Sequence, residues 1–294
     1  MLGSAAAAAA ATSSSSVVPG VIIAKKYIAS ILGGTGSVGK NVLRSILADQ
    51  QCEKVIVISR RPLDKDDDFQ KLVSLEDPTG TRIIVKVCDP LEEMISSIST
   101  DNNDDDKNSK NDKKNNNNTM IHQNNILSGT NTNIAFCTIG HGSSRNATKD
   151  DLMKVDATIP GKFALACKDA GVSHYCIMTA TGADINSSWN FFTRTGGGGG
   201  YYNHVKGVAE KLTLDANISY TYIAQPAALL NSPHTPKVFD YVPNSILPMK
   251  HTSATINDIA KGMVKTTIDA YQNNRTGVVR ITGGIPISLS SSEE

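Results

Sequence analysis

No apolar run in this 294-residue sequence approaches the roughly 20 residues that a membrane-crossing helix requires, so no span is expected. Charge of one sign is equally scarce, with a formal net charge of +1. Nothing therefore points to nucleic acid or an anionic membrane as a partner. The five cysteines, Cys52, Cys88, Cys137, Cys167 and Cys176, contain no C-x-x-C pair, and their odd number argues against a disulfide framework. A reducing compartment follows, and the cytoplasm is the expected location. The histidines form no H-E-x-x-H or similar spacing, which removes a metal site of that kind. No G-x-S-x-G elbow occurs, so serine hydrolysis has no support. Arginine is missing before Arg44 and acidic residues before Asp49, which loosely suggests an organelle-targeting peptide. An alanine run is poor amphipathic material, however, and an untargeted tail is the other reading.

Two stretches lack the means to build a core. The start, "MLGSAAAAAAATSSSSVVPG", has no periodic apolar pattern, and "TDNNDDDKNSKNDKKNNNNTMIHQNN" from Thr100 is almost free of large apolar residues. Neither buries enough apolar surface to offset the entropy of ordering, so both read as disordered. The expected organisation is a tail over residues 1–24, a nucleotide-binding domain over 25–285 with an insert at about 100–130, and a short tail over 286–294. About 240–250 residues remain for the domain, enough for one sizeable core.

Within that domain, short β-branched runs recur: Tyr27–Leu32, Lys54–Ser59, Thr81–Asp89, Asn133–Gly140, Ser173–Ala180 and Ser219–Gln225, with "GVVRIT" as a late seventh. Helical spacing separates them, including Lys149–Ala170, where Pro160-Gly161 should kink or split the helix. Continuous apolar strands alternating with helices predict an α/β fold, a single Rossmann-type doubly wound parallel sheet covered on both faces. The chain after Pro226 should form a small region over the sheet's carboxyl edge, where open α/β sheets bind ligands.

The sharpest motif is "GGTGSVGK", placed between the first strand and the first helix. Gly33, Gly36 and Gly39 satisfy G-x-x-G-x-x-G, and Gly34, Gly36 and Gly39 fit the G-x-G-x-x-G pattern. Glycines at these positions permit a tight turn and close approach of backbone to a pyrophosphate, while the helix N-terminus offers free N–H groups. The candidate phosphate loop is thus Gly33, Gly34, Thr35, Gly36, Ser37, Val38 and Gly39. Strand two ends in "ISRRPL", without the acidic residue that bonds the ribose 2′-hydroxyl of NAD. Arg60 and Arg61 suit the 2′-phosphate of NADP(H), although two solvated arginines ending a strand are the plainer alternative. Asp89, ending strand three, could accept a hydrogen bond from adenine, or serve only as an acidic turn residue.

Farther on, Tyr202 and Lys206 stand four apart in "YYNHVKGVAEKL", so on a helix they share a face. The bare pattern is common; its position after strand five of a dinucleotide fold gives it meaning. A phenol ionises near pH 10, and a neighbouring ammonium favours the phenolate. Tyr202 would exchange a proton with a substrate oxygen while Lys206 holds the nicotinamide ribose. A hydroxyl at the end of strand five should hold the same oxygen, Thr179 first and Thr181 in reserve. His204 falls on another face of the helix.

With these residues assembled, the chain resembles the short-chain dehydrogenase/reductase superfamily in its atypical or extended branch, and within it the oxidoreductase HIV Tat-interactive protein family. The resemblance spans about Tyr27 to Tyr271 outside the insert. It rests on "ILGGTGSVGKNVL", "VISRRPL", "FCTIGHG", "VDATIPGKFALACKDAGVSHYCIMTATGAD", "YYNHVKGVAEKL" and "YIAQPAALLNS". It implies NADP(H) binding, Arg60 and Arg61 at the 2′-phosphate, Ile139, Gly140 and Pro226 along the cofactor, and Tyr202 with Lys206 as the active pair. Four features depart from the family: Thr179 in place of serine, Gln225 in place of arginine before Pro226, Asp156 in place of the superfamily's asparagine, and the long "SSWNFFTRTGGGGG" link. That link reads as an idle expansion, or else as a lid. The expected activity is NADP(H)-dependent hydride transfer on a small-molecule carbonyl or hydroxyl. The alternative is a non-catalytic NADPH-binding regulatory protein acting through a protein partner.

Overall fold

The computed structural model describes residues 24–97, 122–142, 147–187, 200–233, 235, 237 and 241–289. The expected N-terminal tail up to residue 23, the insert over 98–121, most of the glycine-rich link (188–199) and the last five residues lie outside the described residues. In chain order the elements are β1 (Tyr27–Leu32), α1 (Ser37–Ala48), β2 (Cys52–Ser59), α2 (Asp67–Glu76), β3 (Ile83–Val87), β4 (Ile95–Ser97), β5 (His122–Asn125), β6 (Ile134–Cys137), α3 (Lys149–Met153), α4 (Ile159–Asp169) and β7 (His174–Met178). There follow α5 (Tyr201–Asp215), β8 (Tyr220–Gln225), β9 (Leu229–Leu230), β10 (Ala254–Thr255), α6 (Ile256–Gln272), β11 (Gly277–Thr282) and α7 (Gly284–Leu289).

Seven strands form one sheet in the order β11-β8-β7-β6-β1-β2-β3, and every neighbouring pair is parallel. The order reverses between β1 and β6, which is where sheets of this kind open a ligand crevice at their carboxyl ends. Both faces are buried, so the apolar runs are continuous. On β1 and β2, Ala29, Ile31, Val55 and Val57 pack against α1, α2 and α6. Their neighbours Leu32, Ile56 and Ile58 join the core under α4 and α5. Edge strand β11 is half-covered, leaving Val278 and Val279 exposed. The flanks of the insert meet as a short antiparallel pair, β4 with β5, so the described chain resumes within the 100–130 stretch.

The expected break at Pro160 falls elsewhere. Pro160 is the second residue of α4, which runs on directly from the preceding helical turn. The irregularity lies just before it, in a single π-helical turn over Lys154–Thr158, with the Ile159 N–H donating to the Lys154 carbonyl. Proline cannot supply the i→i−4 bond to Asp156, and the ladder widens there instead.

After β8, α6 covers a face of the sheet and β11 extends it, while the segments around Lys250–Thr252 and Gly283–Gly284 lie at its carboxyl end. Thr181 donates to the Lys250 carbonyl at 3.1 Å, Gly283 N–H to Gln225 O at 2.9 Å, and Gly284 N–H to Thr252 O at 2.6 Å.

At the opposite end, His174 is buried, stacks on Tyr220 at 5.2 Å and meets Tyr271 edge-on at 5.4 Å. Burial holds its pKa below the ordinary imidazole value. The unfolded chain therefore binds this proton more readily, and the stability contributed by neutral His174 is present above the unfolded pKa and lost as pH falls through it. Chemical denaturation at a series of pH values should show stability declining below about pH 6.5, by at most about 1.4 kcal/mol per pH unit from this group. His174→Phe, which keeps an aromatic ring, should flatten that decline.

Candidate functional site

The glycine motif forms a cradle at the switch point. Gly33 has φ +90°, a conformation a side chain would strain, and a Cβ there would lie 2.7 Å from Ile139 N. Gly39, in the first turn of α1, faces Gly33 so closely that a Cβ would sit 1.9 Å from Gly33 O. Gly36 N–H closes the turn on Gly33 O at 3.0 Å. No side chain caps α1, and no acidic residue lies in its first turn. The N–H groups of Ser37, Val38 and Gly39 therefore face a ligand position with the positive end of the helix dipole behind them. Thr35 lies at the bend of the turn. The absence of side-chain bulk and the free donors fit a dinucleotide pyrophosphate.

Ile139 links the cradle to the second part of the site. Beyond it, a Cβ on Gly140 would lie 3.1 Å from Asp156 Oδ1 and 3.9 Å from Lys206 Nζ. Lys206, in the second turn of α5, pairs with Asp156 at 2.7 Å, and both side chains are almost fully buried, at 5% and 3% exposure. The second Asp156 oxygen accepts the His141 backbone N–H at 2.9 Å. Tyr202 lies one turn back, its ring 5.6 Å from Lys206 Nζ.

The pull of Lys206 on the tyrosine has the expected direction but is outweighed. Burial pushes the Tyr202 phenol up; Lys206 pulls it down without prevailing, and Asp156 adds to the rise. Burial works against the Lys206 ammonium, yet Tyr202 and Asp156 outweigh it and hold its pKa above the ordinary value. In the free protein the charged pair is Lys206 with Asp156, and Tyr202 is a neutral phenol.

Thr179 is positioned differently from the expected substrate-oxygen donor. Its hydroxyl donates to Glu210 Oε1 at 2.7 Å. A hydroxyl has one proton to give, so in this arrangement Thr179 can only accept from a further group. Among the described residues no hydrogen bond joins it to Tyr202. The reserve, Thr181, shares its one hydroxyl proton between the carbonyls of Gln225 and Lys250. Glu210 is the centre of a network that sequence spacing did not reveal. It also accepts from Gln225 Nε2 at 2.7 Å and from Arg280, with Nη2 at 3.1 Å. Thr282 donates to the Gln225 side-chain oxygen at 2.6 Å. Gln225, which stands where the family has arginine, ties α5 to β11 through Glu210 and Thr282. A cleft of about 680 Å³ runs beside this network, lined by Thr181–Ile185, Glu210, Lys250, His251 and Arg280. Tyr202, Lys206 and Asp156 do not line it.

Arg60 is exposed at the end of β2, and Arg61 pairs with Asp66 at 3.0 Å while remaining open to solvent. Asp89 is exposed just beyond β3. Pro226 is buried, its carbonyl accepting the Thr181 N–H at 3.0 Å. His204 turns away to the Ile185 carbonyl, at 2.7 Å. All five cysteines are free thiols. Among the described residues there is no cluster of metal-ligating side chains and no helix long and apolar enough to cross a membrane.

The sheet and its flanking helices are similar to those of several enzymes of known structure. Over 87% of its length the chain superposes on the UDP-Glc/GlcNAc 4-epimerase of Campylobacter jejuni, covering 78% of that chain with a TM-score of 0.55 and 10% identity. A Bacillus halodurans protein described as an NAD-dependent epimerase/dehydratase gives a TM-score of 0.54 at 14% identity, over 90% of this chain and 98% of the other. The UDP-glucuronic acid 4-epimerase of Bacillus cereus, solved with NAD, gives 0.52 at 12% identity, over 87% and 77%. At such identities the likeness is one of fold: a Rossmann-like α/β architecture that these enzymes also have. No family model and no curated protein matches the sequence.

Proposed function

We propose that this chain is an oxidoreductase of the extended short-chain dehydrogenase/reductase type that uses NADP(H) and acts on a carbonyl or hydroxyl of a small molecule. The observation that carries the reading is the continuity of the site. The cradle touches Ile139, the next residue Gly140 borders Asp156 and Lys206, and Lys206 lies beneath Tyr202. The fold neighbours, two of whose descriptions name NAD, support a nicotinamide dinucleotide.

Residues Gly33–Gly39 would hold its pyrophosphate, with Ile139, Gly140 and Pro226 along its length and Asp89 near the adenine. When bound, the dinucleotide supplies or accepts hydride. Tyr202 gives a proton to the substrate oxygen or takes one from it, and Lys206 holds the ribose and favours the phenolate. Thr179 orients a group that donates to it.

The choice of NADP(H) rests on Arg60 and Arg61 standing where an NAD site carries a carboxylate. Arg60, which has no acidic partner among the described residues of the kind that engages Arg61, is the stronger ligand. Fluorescence titration should give at least about tenfold tighter binding of NADPH than NADH, and Arg60→Ala should remove most of the difference, roughly 1.4 kcal/mol or more. Equal affinities in the parent protein would dismiss the arginine assignment.

A second reading, an NADPH-binding regulatory protein that acts through a protein partner, is favoured by one observation: the Thr179 proton is already committed to Glu210. Tight NADPH binding without oxidation of NADPH by any member of a broad carbonyl panel would select it.

A further inference from the structure

Asp156 is reached by two elements that the sequence separates. Its Oδ1 holds Lys206 on α5 at 2.7 Å, and its Oδ2 holds the His141 N–H on the loop after β6 at 2.9 Å. It stands on the π-helical turn, whose altered spacing displaces residues relative to a regular helix. A carboxylate that is 3% exposed is retained against a considerable desolvation cost, and both oxygens are matched by donors.

We propose that Asp156 is a positioning residue of this site: it fixes Lys206 and the loop bearing Ile139 and Gly140 in one arrangement, and its charge opposes that of Lys206 beside the Tyr202 ring. The proposal rests on the oxidoreductase reading for its purpose but not for its geometry. An asparagine here would accept the same loop N–H without cancelling the ammonium. The titratable groups facing the pair are few. Among the described residues, Tyr202 and the Cys137 thiol at the end of β6 act on Lys206 beside Asp156, and His141 adjoins the pair through its backbone; burial pushes the thiol up to about 11, so it is uncharged at neutral pH. The field at Tyr202 is therefore set by Lys206 and Asp156, which oppose one another.

Two measurements on the ligand-free protein test this. Carbon NMR of the Tyr202 Cζ, assigned by its loss in Tyr202→Phe, follows ionisation of that phenol alone. Asp156→Asn should lower its midpoint by at least about one pH unit, because the ammonium then acts unopposed. A midpoint that stays or rises overturns the charge-opposing role. Amide hydrogen exchange at His141 reads the loop. It should accelerate at least about tenfold in Asp156→Ala and remain near the parent rate in Asp156→Asn, which keeps an acceptor. Equal protection in all three proteins overturns the loop-holding role. If the alanine variant does not fold, the asparagine variant still decides the first question, being nearly isosteric. Neither measurement involves cofactor or substrate. Failure of NADPH turnover would thus overturn the oxidoreductase reading and leave the role of Asp156 to stand or fall on its own data.

Discussion

Gly39→Ala is expected to abolish dinucleotide binding, with NADPH affinity falling at least about 100-fold, or 2.7 kcal/mol and more. The new methyl carbon would lie 1.9 Å from Gly33 O, 2.8 Å from Gly33 C and 2.9 Å from Thr138 Oγ1. The nearest of these are backbone atoms of the cradle, so the strain cannot be relieved by swinging a side chain aside. Gly33 cannot retreat, because its other side abuts Ile139 N, and Thr138 is bonded to the Leu32 and Gly33 carbonyls. Either α1 backs away from β1 or the turn opens, and each displaces the N–H groups that would face the phosphates. Folding should suffer less, by about 1–3 kcal/mol as for other overpacked sites. The check is a paired measurement of NADPH titration and urea denaturation on the same preparation. Binding within threefold of the parent would remove the cradle from the cofactor site.

The ease with which that cradle was read from sequence has a physical basis. A phosphate loop is local: its turn, its close approach and its helix start lie within eight residues, so spacing alone carries the geometry. The strands were legible for a similar reason, since both sheet faces are covered and alternation gives way to unbroken runs such as "KVIVIS". Contacts distant in sequence were not. Lys206 and Glu210 are four apart on α5, a spacing that suggests an ion pair. They do not pair, because Lys206 turns to Asp156 on the π turn while Glu210 turns to Gln225 and Arg280. Arg280 is 70 residues from Glu210, and no local pattern connects them. Pro160 signalled an irregularity but not its place, since the helix absorbed the missing N–H one turn earlier. Asp156 was visible only as a substitution in a familiar position. Its ion pair depends on how α5 packs beside that turn, which spacing does not encode.

The second large effect is expected at Tyr202. Tyr202→Phe should lower kcat for NADPH oxidation with any accepted carbonyl by about 10²–10⁴-fold, the usual range for removing a general acid. NADPH affinity should stay within about threefold, because the ring that lies 5.6 Å from the Lys206 ammonium is retained and only the hydroxyl is lost. The comparison with Lys206→Met separates the two roles. That change leaves Asp156 buried without its cation, so stability should drop by about 3–5 kcal/mol in addition to any loss of binding. Tyr202→Phe carries no such penalty, so a fall in kcat with unchanged stability and unchanged affinity assigns proton transfer to the phenol. The pH profile adds a directional test. Burial and Asp156 hold the Tyr202 pKa up, so in the reducing direction the phenol remains protonated across neutral pH and the rate should be level there. In the oxidising direction the base form is needed, and the rate should climb with pH toward the alkaline limit. A Tyr202→Phe protein that turns over at more than a tenth of the parent rate would transfer the proton-exchange role to another group.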